Sequence, residues 1–151
     1  MKKYILINYK FMIKYVYISL KNLYYMDLEK VIKKFIAYIN ESKLDKAESL
    51  INKYSRNKGN ELAMKLISIG YSYGILQLYD LAIFCFDLSL RISKDIRLKE
   101  KAKNFLANAL SLRAHQYITV NLLQEAENNY IKALSSMKNH FPRRVHRRII
   151  E

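Results

Sequence analysis

Cys85, His115, His140 and His146 are the side chains best suited to nucleophilic, general-base or metal chemistry in this chain. Such chemistry needs clusters, either several ligands converging on a metal or a nucleophile with its base beside it. Here one cysteine stands alone and the three histidines are scattered, so no ligand set is spelled out. His115, the interior histidine, has no carboxylate one helical turn away to orient it as a base. The acids do no better. Asp80 and Asp87 share a helical face at i, i+7, Glu125 and Glu127 do not face each other, and both pairs read as solvated surface. Three glycines in the whole chain do not assemble a phosphate-cradling loop. Cys85 directly precedes Phe86 in an apolar stretch and is expected to pack rather than react. The expectation is a chain with no catalytic centre, no metal, no cofactor and no small-molecule substrate.

Charge is the next signal. The 151 residues carry a formal charge of +14, unevenly placed. Residues 1–26 hold Lys2, Lys3, Lys10, Lys14 and Lys21 with no acid, and Arg143, Arg144, Arg147 and Arg148 cluster near the other end beyond Pro142. These basic ends predict at most weak, sequence-independent contact with nucleic acid or an anionic membrane surface. The tail has no aromatic interleaved for base stacking, which leaves generic electrostatics as its expected role. A single cysteine excludes an internal disulfide framework and points to a reducing, cytoplasmic home. The longest stretch without a charged residue, between Lys65 and Asp80, is too short to span a bilayer. Lys10 and Lys14 interrupt what would otherwise read as a secretory leader, so secretion is not expected.

The elements that position these residues follow from a repeat. Tyr38, Tyr73 and Tyr117 each stand nine residues before an alanine: Ala47, Ala82 and Ala126. Other columns align around them. Val31, Leu66 and Leu110 precede the tyrosine by seven; Leu44, Tyr79 and Leu123 follow it by six; Ile51, Phe86 and Tyr130 follow it by thirteen. A unit that recurs in this way cannot bury its apolar face alone and must stack on its neighbours.

Between tyrosine and alanine lies a turn. Ser42-Lys43-Leu44-Asp45 and Asn121-Leu122-Leu123-Gln124 offer side-chain oxygens to cap a following helix, with Gln77 in the equivalent middle place. Arg56-Asn57-Lys58-Gly59-Asn60 supplies Gly59 as a left-handed helix end and Asn60 as the next cap. The periodicity predicts six helices at about 28–40, 43–56, 61–75, 78–93, 96–119 and 122–139.

These columns resemble the tetratricopeptide repeat, a helical hairpin of 34 residues. The second unit fits best, as Leu66, Ile69-Gly70, Tyr73, Tyr79, Ala82, Phe86 and Ser89. The third has Arg113 where the family carries a leucine, and the first has Phe35 where the family carries a glycine. Successive tyrosines are 35 and then 44 residues apart, an excess of about two and a half helical turns ahead of the third unit.

The resemblance implies an all-α superhelix of three antiparallel hairpins over residues 27–141, flanked by an amphipathic N-terminal extension at 1–26 and a basic tail at 142–151. It also implies a scaffold that holds a protein or peptide partner against the first helix of each hairpin, with self-association as a second outcome. Carried onto this chain, the partner-binding positions are Lys33, Asn40, Met64, Ile67, Tyr71, Asn108 and His115. Lys33, Asn40 and Asn108 do not complete the family's carboxylate clamp, so an apolar segment is the expected occupant. In the extension, Lys3, Lys10, Lys14 and Lys21 fall within about 40° on a helical wheel. A capping helix, an interfacial membrane helix, an unstructured extension and, from its β-forming residues, a strand stay open for it, and a partner over the groove or the extension itself stays open as the occupant.

Overall fold

The computed structural model describes residues 27–137. The expectations for the extension at 1–26 and for Arg143, Arg144, Arg147 and Arg148 lie outside them.

The described residues form helices joined by short turns, with no strand among them. Helix α1 spans 27–40; α2 runs Leu44–Ile75, α3 Tyr79–Ile92, α4 Ile96–Thr119 and α5 Leu123–Met137. The chain forms two compact units that divide between Ile51 and Asn52, inside α2.

The tyrosine-to-alanine spacing is written into the backbone. After each tyrosine the chain reverses through one left-handed residue: Ser42 at φ 58°, Gln77 at φ 60° and Asn121 at φ 61°. In all three turns the next amide reaches back to the tyrosine carbonyl, from Lys43 at 2.8 Å, Leu78 at 3.0 Å and Leu122 at 2.8 Å. The carbonyl of that same residue then accepts from the alanine amide, Ala47 at 3.1 Å, Ala82 at 3.0 Å and Ala126 at 3.0 Å. One residue thus closes one helix and opens the next. This corrects the reading of Ser42 and Asn121 as side-chain caps: each is the left-handed residue of a helix end, a place where the backbone supplies the bonds. Leu78, the residue before α3, likewise makes no side-chain cap.

The second and third expected helices are one element with a bend. Lys58 leaves helical geometry at φ −131°, ψ 26°, and α2 resumes directly after it. Gly59 is not left-handed, contrary to expectation. Its need is steric, because a Cβ there would lie 2.6 Å from the Ile92 carbonyl oxygen. Asn60 caps a different connection from the one expected. Its Oδ1 accepts from the amides of Lys94 at 2.8 Å and Asp95 at 3.2 Å and from the Ser93 hydroxyl at 3.3 Å, fastening the bend to the link between α3 and α4. Asp95 is the true side-chain cap, accepting from Arg97 at 2.7 Å and Leu98 at 3.1 Å at the start of α4.

In the first unit Val31, Phe35, Ile39, Ala47 and Ile51 are buried. In the second, Ile67, Ala82, Phe86, Ala102 and Ala109 form one core cluster, and Ala107, Leu110 and Ala133 form another; Ile83 and Leu106 pack against both. Full burial of a large aliphatic or Phe side chain contributes about 1.5–3 kcal/mol. The alanines give little each but let helices approach closely. Helix α4 packs on α3 and on α5, so the added length before the third tyrosine-to-alanine repeat does not interrupt stacking. Counted back from their tyrosines, α4 begins at Ile96 while the second part of α2 begins just after Lys58, which places most of the extra turns at the start of α4. No described helix is long and apolar enough to cross a membrane.

Candidate functional site

The site is a groove between the second part of α2 and α4. At i, i+4, i+7 and i+11 along α2 stand Met64, Ser68, Tyr71 and Ile75, all exposed although three are large and apolar or aromatic. Along α4 the exposed face carries Asn104, Asn108, Leu112, His115 and Thr119. Residues at such spacings share one helical face, so each helix presents a continuous stripe.

The floor is aromatic. Phe105 of α4 stacks on Phe86 of α3 with ring centroids 5.5 Å apart, and the Tyr71 ring meets Phe105 edge-on at 5.6 Å. Both are favoured arrangements for aromatic quadrupoles. Above them a depression of about 200 Å³ is lined by Tyr71, Gly74, Ile75, Tyr79, Phe86, Phe105, Asn108, Ala109 and Leu112. It is floored by rings, walled by Ile75 and Leu112, and has the Asn108 amide as a hydrogen-bonding group at its edge. Pockets that enclose small ligands run from about 300 to 1,000 Å³. This one is of the size of a single bulky side chain.

Of the expected partner-binding residues, Met64, Tyr71, Asn108 and His115 are exposed in the second unit, with Tyr71 and Asn108 at the depression itself. Lys33 and Asn40 are exposed on α1, in the first unit. Ile67 is not a groove residue. It is only 4% exposed and belongs to the core cluster with Ala82 and Phe86. Four residues before Tyr71, it lies about 40° around the helix, enough to turn it towards the buried side with Leu66 and Gly70. Phe105 is the residue the sequence reading missed. It lies ahead of Leu110, the first aligned column of its helix, though its position three residues before Asn108 places it near the same face.

Gly70 sets how closely α2 meets α3. A Cβ there would come within 2.7 Å of the Phe86 ring and 3.1 Å of the Cys85 Cβ. Cys85 is a buried free thiol, and burial pushes it up to about 12. Burial raises Tyr73 as well. Among the described residues no three of His, Cys, Asp and Glu stand together as a metal-binding group. The chain matches no family model, no curated protein and no solved structure.

Proposed function

We propose that this chain is a non-catalytic interaction scaffold that holds a segment of a partner protein in the groove between α2 and α4. The observation that carries the reading is the aromatic-floored depression beside exposed Tyr71, Ile75 and Leu112. An apolar strip open to water on a folded surface marks a place of association. Its volume suits one anchoring side chain, the usual centre of a protein interface. The Asn108 amide is placed to bond a peptide backbone alongside. The three like turns at Tyr38, Tyr73 and Tyr117 support a tetratricopeptide-like superhelix as the frame, and the lone free thiol supports a cytoplasmic home.

The test is a selection of random displayed peptides against the full chain, repeated with a Tyr71→Glu, Leu112→Glu double variant. Both side chains are exposed, so the variant is expected to keep the helical circular dichroism and melting of the wild type while losing the selected peptides. Peptides that bind both proteins equally, or none that bind the wild type, would overturn the reading.

A further inference from the structure

A second depression, of about 270 Å³, lies at the edge of the second unit where α2 bends and α3 passes into α4; Arg56, Asn57, Lys58, Asn60, Glu61 and Lys94 are among the residues lining it. Three of its lining residues are basic, Arg56, Lys58 and Lys94, and one is acidic, Glu61. The other nearby acid, Asp95, is committed to the amides of Arg97 and Leu98. Neither Arg56 nor Lys94 forms an ion pair with a described residue. Asn60 adds a neutral donor of fixed orientation. Its oxygen is occupied by the Lys94 and Asp95 amides and the Ser93 hydroxyl, which settles the amide's direction and leaves its NH2 as the group free to donate. The bonds from Lys94 and Asp95 also hold the Lys94 backbone against the bend.

From these observations we propose that this pocket binds a phosphate group in the form of a phosphomonoester or free phosphate. The excess of basic over acidic lining residues favours an anion, and Arg56 brings the planar fork that grips an oxyanion through two parallel bonds. Charge selects the kind. The pocket's three cations and one carboxylate leave a net +2, which matches the −1.5 to −2 of a phosphomonoester near neutral pH better than the single charge of a nucleic-acid phosphodiester. The volume exceeds a bare phosphate and leaves room for the first atoms of an ester. The site stands apart from the groove and does not depend on the reading given to it.

The experiment is calorimetric titration of the full chain with inorganic phosphate, with the peptide Gly-phosphoserine-Gly, with its unphosphorylated form and with single-stranded oligouridine. The proteins are the wild type, Arg56→Gln/Lys94→Gln, Asn60→Asp and, as a control of equal charge loss, Lys101→Gln/Lys103→Gln. Asn60→Asp keeps an acceptor for the Lys94 and Asp95 amides while replacing the donor by a negative charge. The expected result is binding of phosphate and phosphopeptide but not of the unphosphorylated peptide, about tenfold or more weaker in the first two variants and unchanged in the control. Phosphopeptide binding above inorganic phosphate would identify a modified partner as the source, and equal binding a free phosphate compound. The proposal is overturned if wild-type affinity survives both pocket variants, if the control loses as much, if oligouridine is preferred, or if millimolar phosphate produces no heat of binding. Melting curves of each variant confirm that the fold is intact.

Discussion

Nε of Arg113 donates to Oδ1 of Asn129 at 3.0 Å, and a second guanidinium nitrogen donates to the same oxygen at 2.5 Å. The pair joins α4 to α5. Asn129 is buried and spends its own NH2 on the Glu125 carbonyl at 2.6 Å, while Arg113 reaches Asp80 at the start of α3 and lies over the Tyr117 ring. Arg113, which stands where the third repeat departs from an apolar column, is therefore a polar clamp on three helices. Arg113→Leu is expected to destabilise by about 1–3 kcal/mol in urea unfolding, because it leaves the Asn129 oxygen buried without a donor. Asp80→Asn, at a well-exposed carboxylate, should cost less than about 1 kcal/mol. Equal losses in the two variants would refute the assignment of the clamp to Asn129.

The left-handed turn residues give a graded prediction. An L residue other than Asn or Gly pays about 1–2 kcal/mol in that conformation, and glycine returns part of this through its freer unfolded chain. Gln77→Gly is expected to raise stability by about 0.5–1 kcal/mol, Asn121→Gly by less, and Gln77→Val to lower it. Melting temperatures in that order test the assignment. A destabilised Gln77→Gly would contradict it.

Each of the three glycines meets a different environment, so alanine at each has a different sign. Gly74→Ala meets nothing within 4 Å and should stabilise α2 by roughly 0.5–1 kcal/mol. Gly70→Ala presses on the Phe86 ring and should cost about 1–3 kcal/mol. Gly59→Ala meets a backbone oxygen that cannot rotate away, and should cost at least as much. The ranking by chemical denaturation is the check, and stabilisation by Gly59→Ala would exclude the close approach to Ile92.

Much of the frame was legible because backbone geometry repeats the sequence spacing. Tyr38, Tyr73 and Tyr117 lie at helix ends and Ala47, Ala82 and Ala126 open the next helices, so aligning columns located the three turns between them. Their mechanism was hidden. Ser42 and Asn121 have cap-forming side chains, and composition alone cannot show that the chain places them one step earlier, at left-handed φ. Gly59 was misread for a related reason, since a glycine demanded by a neighbouring carbonyl looks the same in sequence as one demanded by a turn. Met64, Tyr71, Asn108 and His115 lie on exposed faces of α2 and α4. Ile67 does not, because 40° of helix decides between water and core and the repeat columns do not resolve that difference. Phe105 escaped because it stands ahead of Leu110, the first aligned column of its helix.

That angular difference predicts opposite behaviour for two residues one turn apart on α2. Ile67→Glu places a charge in the cluster with Ala82 and Phe86 and is expected to unfold the second unit or cost several kcal/mol. Tyr71→Glu projects into water and should change stability by about 1 kcal/mol or less, the loss of one edge-on aromatic contact. Circular dichroism melts separate the two. Similar melting of both variants would mean that the face is assigned wrongly.

The last prediction concerns alkaline pH. Burial raises the Cys85 thiol from its ordinary value of 9.0 to about 12, whereas in the unfolded chain it ionises near that ordinary value. Below pH 9 both states keep the proton and the group contributes no pH dependence. Between about 9 and 12 the unfolded chain loses a proton that the folded chain retains, so stability falls as pH rises, by roughly 1.4 kcal/mol per unit from this group. Burial raises Tyr73 in the same direction and adds to the decline. Comparison with Cys85→Ala isolates the thiol. Near neutral pH the alanine variant should be the less stable protein, because it leaves a void beside Gly70, and the gap should narrow as pH climbs above 9. Urea unfolding of both proteins at pH 7, 9 and 10 measures it. A gap that stays constant across that range would show that Cys85 ionises alike in the folded and unfolded chain, and its burial would then have no part in the alkaline response.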